Sequence, residues 1–177
     1  MSTRLVILGL LRDRAMHGYE IKHIIEDHMG DWTSIAFGSI YFALKKLTDE
    51  GLLEVKATEK TGNRPSRTVY HITDAGREEF TRLLHELWAT PERQFFAIDL
   101  GLFFMDALSA NEVQEYLKGR VEALRQTLEY LDTHRDEQLA NPHVPKRARW
   151  IFDHSRAHLS AEMAWTEGLL AETSADG

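Results

Sequence analysis

Residues 39–76, SIYFALKKLTDEGLLEVKATEKTGNRPSRTVYHITDAG, change their hydrophobic period twice, and that change decides the fold. Ile40, Tyr41, Leu44 and Leu47 recur at helical spacing as far as Gly51. Leu52–Ala57 and Thr68–Ile72 then read as extended, on either side of the turn cluster Gly62-Asn63-Arg64-Pro65-Ser66. Thr73-Asp74 can cap a further helix, Ala75–Ala89, whose Phe80, Leu83, Leu84, Leu87 and Trp88 form an apolar stripe.

Upstream, Thr3–Arg14 reads as a helix with Leu5, Leu8 and the Leu10/Leu11 pair on its buried face. Met16-His17-Gly18 reads as a turn. Tyr19–Met29 is a second helix carrying Ile21, Ile24, Ile25 and His28, with Gly30 as its stop, and Asp31–Gly38 is a short connection. Three helices, a hairpin and a return helix are the order of a winged helix-turn-helix domain.

Pro91 breaks the chain, and no strand is expected after it. An apolar helix is expected around Phe95, Phe96, Leu100, Phe103 and Phe104, and Ser109-Ala110-Asn111-Glu112 is a capping-box signature for a new start. Leu117, Val121, Leu124, Leu128 and Leu131 then step by 4, 3, 4 and 3, the a/d seam of a coiled coil flanked by Glu122, Arg125, Glu129 and Asp132. Such a seam needs a partner, which we expect to be a second copy. After the break at Asn141–Pro145, Lys146–Glu172 reads as a last helix with Trp150, Phe152, Leu159, Met163, Trp165 and Leu170. The expected fold class is mainly α (α+β): an N-terminal winged helix-turn-helix domain over residues 1–90, followed by an all-α dimerisation and effector domain over residues 91–177.

The net charge of −7 argues at first against a polyanionic partner, since nucleic-acid affinity draws on cations at the phosphates. Its distribution changes that reading. Residues 1–90 hold 12 lysines and arginines against 13 acids, leaving 9 against 15 for the remainder. Within the first part Lys56, Lys60, Arg64 and Arg67 face Glu59 alone, a local cationic patch. Zero cysteines exclude disulfides, thiolate metal sites and cysteine nucleophiles, and suit a reducing cytoplasm. No apolar run approaches the roughly 20 residues that cross a bilayer. The apolar start, Met1–Leu11, runs into Arg12, Asp13 and Arg14, where a signal peptide would need small residues. We therefore expect a cytoplasmic protein with no membrane partner.

In a helix-turn-helix the third helix enters the major groove, so one face must pack inward and the other must be polar or basic. If Ile40, Ala43, Leu44 and Leu47 point inward, Ser39, Phe42, Lys45 and Lys46 fall outside. Ser39 can reach a phosphate or base edge, Phe42 a thymine methyl, and the lysines phosphate or guanine, the alternative being ordinary solvated charge. The hairpin tip adds Lys60, Asn63, Arg64 and Arg67 around a glycine and a proline, which suits a wing on phosphates or minor groove, the alternative being a polar loop. Double-stranded DNA is the expected partner.

His17-Gly18-Tyr19-Glu20-Ile21, Ser39-Ile40-Tyr41-Phe42-Ala43-Leu44-Lys45-Lys46-Leu47 with Glu50-Gly51-Leu52, Arg64-Pro65-Ser66-Arg67, and Tyr70-His71-Ile72-Thr73-Asp74-Ala75-Gly76 resemble in combination the PadR family of bacterial transcription regulators. Ala161-Glu162-Met163-Ala164-Trp165 resembles, less sharply, the helical C-terminal domain of its longer subfamily. The resemblance implies a homodimer held by C-terminal helices on a palindromic operator, usually a repressor released by a small effector. It also implies that Tyr19, Ser39, Tyr41 and Arg64 lie at or near DNA, although the Tyr41 ring reads equally as core. Phe42 departs from the family pattern, in which a proline commonly follows the tyrosine, and this bears on base preference. Gly18 would place a helix N-terminus where backbone N–H groups can take a phosphate, or serve simply as a turn glycine.

Other chemistries find less support. His154, His158 and Glu162 lie at i, i+4 and i+8 on one helix face, but Ser155 stands where a helical zinc protease carries glutamate, so no metal site is assigned and no cofactor is expected. Ser39, Ser66, Ser109, Ser155 and Ser160 sit in no nucleophile-elbow context, and there is no glycine-rich phosphate loop, so no enzyme is expected. A winged-helix adaptor that binds protein remains the alternative function, favoured by the overall acidity. Trp88, Phe95, Phe96, Phe103, Phe104, Trp150, Phe152 and Trp165 can line a cavity between domains or subunits for a small aromatic effector, or pack as core.

Overall fold

The computed structural model describes residues 3–30, 33, 35–59, 67–91, 93–142 and 144–175, and it divides into two compact units, Met1–Arg93 and Gln94–Gly177. The first holds α1 (Thr3–Leu10), β1 (Met16–His17), α2 (Gly18–Met29), α3 (Phe37–Asp49), β2 (Leu53–Glu59), β3 (Arg67–Ile72) and α4 (Asp74–Ala89). Its core is a single cluster in which Ile7, Leu8, Leu11, Ile21, Ile25, Ile40, Leu44, Leu47, Leu53 and Ile72 are buried, with Phe80 and Leu83 packed against it. Every helix of this unit and the sheet contribute, as the sequence periods demand.

The sheet is antiparallel with the order β1-β3-β2. The expected hairpin is present, with Leu53 opposite Ile72 and a bulge between Val55 and Ala57. The expected turn at Met16-His17 is corrected: these residues form the third strand, opposite Tyr70 and Val69. Two residues are too few to show an alternating period, and what recruits them is the unpaired edge of β3. The first helix also closes at Leu10, short of the expected Arg14. There Arg77 Nη1 donates to the Arg12 carbonyl at 2.7 Å, satisfying a backbone group just past the helix end.

Two glycines and a threonine tie the hairpin to the helices. Gly51 ends the α3 turn with φ +74°, a left-handed conformation that a side chain rarely adopts. Thr73 Oγ1 donates to the Gly51 carbonyl at 2.9 Å, accepts from the Gly76 N–H at 3.1 Å, and so caps α4. A methyl group on Gly76 would lie 2.2 Å from the Leu52 carbonyl oxygen, so α4 can approach the strand only through a glycine. Gly30, by contrast, follows α2 in an ordinary right-handed conformation, and α3 begins at Phe37, inside the expected connection.

The second unit holds α5 (Ala97–Phe103), a short 3-10 turn (Met105–Ala107), α6 (Ala110–Ala140) and α7 (Ala148–Ala175). The capping box forms: the Ser109 N–H donates to Glu112 Oε2 at 2.9 Å and the Glu112 N–H to Ser109 Oγ at 3.4 Å. α6 and α7 run antiparallel, joined by Gln114 to the Thr173 carbonyl at 3.0 Å, by Arg120 to Glu162 at 2.5 Å and by Arg156 to Asp132 at 3.0 Å. Leu117, Val121, Leu128 and Leu131 are buried and Leu124 is half-buried within this single chain. The seam finds its partner in α7, which removes the reason its spacing gave for a second copy. Among the described residues no helix is long and apolar enough to cross a membrane.

Candidate nucleic-acid interface

α3 has two unlike faces. Ile40, Leu44 and Leu47 are buried in the core, and on the other side Phe42 is 70% exposed beside exposed Lys45 and Lys46. Neither lysine is ion-paired among the described residues. A phenyl ring kept in water between two cations has no folding role that burial would explain. The helical repeat alone produces this separation, since the outward positions fall between the inward ones.

The other expected contact residues are distributed around this face. Ser39 is half-buried, and its hydroxyl already donates to the Ala36 carbonyl at 2.6 Å, leaving its lone pairs as acceptors at the start of α3. Tyr41 is 42% exposed, and a methyl on Gly18 would stand 3.2 Å from its ring, so the ring leans on the start of α2 while part of it stays in water. Its neighbour Tyr70 is more enclosed: burial, then the adjacent Tyr41, pushes the Tyr70 phenol above its ordinary value. The Tyr41 ring is therefore neither fully core nor fully exposed.

Tyr19 is 46% exposed on the first turn of α2 and stacks on His17 with ring centroids 5.6 Å apart and planes 19° from parallel. His17 was missed by the sequence reading; its only signal was adjacency to Gly18-Tyr19. The α2 terminus is only in part open to an anion. The Glu20 carboxylate is held below the usual carboxylate range, first by the hydrogen bond from Arg14 and also by the backbone of His17. Arg14 is thereby occupied, whereas Lys45 and Lys46 of α3 carry no such ion pair among the described residues.

Of the wing, the strands are described and the tip is not: Lys60, Asn63 and Arg64 lie outside the described residues. Arg67 opens β3 opposite Glu59, its side chain likewise outside the description. Lys56 is exposed at the bulge of β2. Sequence reasoning named Gly51 only as the end of α3 and Gly76 only within a motif, without their role in fixing where the hairpin leaves the body.

Elsewhere, His154 Nε2 and His158 Nε2 lie 3.2 Å apart, whereas Glu162 is committed to Arg120. Among the described residues no three histidines or acids are grouped to share a metal. Of the aromatic side chains expected as effector lining or core, those of the second unit are not core within the single chain: Phe95 is 81%, Phe103 78% and Trp150 74% exposed, with Phe96 and Phe104 at least half exposed. One cleft of that unit is lined instead by Arg135, Asp136, Leu139, Arg149 and Asp153.

Residues 7–82 match the model of the Transcriptional regulator PadR-like family. The chain is 28% identical over 171 residues to the negative transcriptional regulator PadR of Bacillus subtilis, covering 93% of each. Among solved structures it is similar to B. subtilis PadR in complex with operator DNA, at 25% identity and TM-score 0.81, over 96% of this chain and 98% of that one. B. subtilis PadR in complex with p-coumaric acid superposes with TM-score 0.81 at 24% identity, over 97% and 98%, a likeness of fold.

Proposed function

We propose that this chain, which belongs to the PadR-like family of transcriptional regulators, is a cytoplasmic homodimer that binds a palindromic operator through α3 and the wing and represses transcription until a small aromatic effector releases it. The observation that carries the reading is the outward face of α3, where Phe42, Lys45 and Lys46 stand exposed directly behind a fully packed core face. Lys45 and Lys46 bind phosphate or guanine, Phe42 meets a thymine methyl, and Arg64 and Arg67 lie along the backbone from the wing. The solved operator complex of a relative with the same architecture supports DNA as the partner.

The homodimer follows from affinity. One winged helix makes few phosphate contacts, while two held about one duplex turn, roughly 34 Å, apart multiply affinity and demand a palindrome. With the α6 seam buried inside the chain, the exposed apolar side chains of the second unit, Phe95, Phe96, Phe103, Phe104 and Trp150, are the surface offered to the second copy. An effector bound near them acts by changing the spacing of the two reading helices, a coupling of roughly 1–3 kcal/mol.

The test is a fluorescence-anisotropy salt titration of the protein on its own upstream promoter DNA, with and without p-coumaric acid. Tight binding that falls steeply with salt is the expected result. No binding at low salt would leave the protein-binding adaptor as the better reading.

A further inference from the structure

We propose that His154 and His158 form a two-histidine chelate for a divalent transition-metal ion of the zinc type, on the exposed face of α7 and outside the DNA-reading unit. Both side chains are exposed, and both lie in the interior of a 28-residue helix, so their backbone positions are fixed one turn apart. Their rings stand 4.6 Å apart at 71°, and their Nε2 atoms approach to 3.2 Å.

That separation has a chemical meaning. Two imidazole nitrogens cannot direct lone pairs at each other at this distance without a cation or a shared proton between them. Zinc bound by histidine nitrogens at about 2.0–2.1 Å in tetrahedral geometry sets those nitrogens about 3.3–3.4 Å apart. The pair is thus already at the bite of such an ion, which takes the place of the shared proton. Imidazole ligands suit zinc, copper and nickel and leave hard cations such as magnesium to oxygen.

The surroundings fix the ligand count. Glu162, one turn beyond His158, is bound to Arg120 at 2.5 Å, and Asp153 faces Arg149 at 3.4 Å, so neighbouring carboxylates are engaged by cations. The two remaining positions of a tetrahedral ion therefore go to water. A bound metal closes a ring across one turn of α7 and stiffens it at this point.

The test is calorimetric titration of the full-length protein with zinc chloride at pH 8, where histidine is neutral, beside magnesium chloride and the variants His154→Gln, His158→Gln and His23→Gln. Exposed helix positions accept glutamine, so far-UV circular dichroism is expected to be unchanged in all three. Binding of zinc by the wild type and by His23→Gln, with loss of that binding in each α7 variant and no heat with magnesium, is the expected result. Absence of zinc binding in the wild type, or binding in both α7 variants equal to the wild type, would overturn the proposal.

Discussion

The two units handle their large apolar side chains in opposite ways. The first gathers Ile7, Leu8, Ile21, Ile40, Leu44 and Ile72 into a closed core and exposes Phe42 on the outward face of α3. The second closes only the seam between α6 and α7 and leaves Phe95, Phe103 and Trp150 in water. The first unit is complete by itself and works through its outer surface; the second carries apolar surface far beyond what its own packing uses, which is the mark of a unit built to be covered.

The most severe way to break the first unit is Gly76→Ala. Its new methyl meets the Leu52 carbonyl and Ile72, so a loss of about 4 kcal/mol or more is expected, read as failure to fold or as a greatly lowered Tm in thermal melts. Leu44→Ala, which empties a fully buried site, is expected to cost about 2–5 kcal/mol in urea unfolding.

The contrast with the second unit is sharpened by two changes, one in the α6 seam and one on the exposed rings. Leu128→Asp buries a charge inside the α6–α7 pair and is expected to cost about 3 kcal/mol or more and to reduce helix content. Phe95→Ser with Phe103→Ser removes exposed rings, so helix content is kept while light scattering reports monomers in place of dimers. Equal dimer mass in that double variant would show that another surface joins the copies.

Smaller effects come from caps and charges. Thr73→Ala removes the α4 cap and the bond to Gly51, an expected loss of about 1 kcal/mol. Glu79, held below the usual carboxylate range by Arg82 and then Arg4, contributes stability that is present above its unfolded value near 4.3 and is lost as pH falls through its lower folded value. Glu79→Gln is therefore expected to flatten the acid limb of the stability curve by less than about 1 kcal/mol.

Long periodic stretches made most of this architecture readable in advance. The face of α3 follows from the spacing of Ile40, Leu44 and Leu47, and the α6 start from Ser109 and Glu112, because each is a local property of the chain. What escaped is non-local. β1 exists only because β3 offers an edge, and the carbonyl of Arg12 just past α1 is met by Arg77 from far along the chain. The seam of α6 reads as needing a second copy, yet a heptad looks the same whether α7 or a second copy completes it. On the candidate site, the exposure of Phe42, Lys45 and Lys46 was legible for the same local reason, whereas the stacking of His17 on Tyr19 needed the strand that the sequence did not reveal.

The most direct test compares wild type with a Phe42→Ala, Lys45→Ala, Lys46→Ala variant in anisotropy titrations on the protein's own promoter DNA, with thermal melts of both. The account predicts an unchanged Tm, because the three side chains are exposed, together with loss of specific binding and a salt slope smaller by about 1 for each lysine that contacts phosphate. Wild-type affinity and salt slope in the folded variant would contradict it, and the outward face of α3 would not be the reading surface.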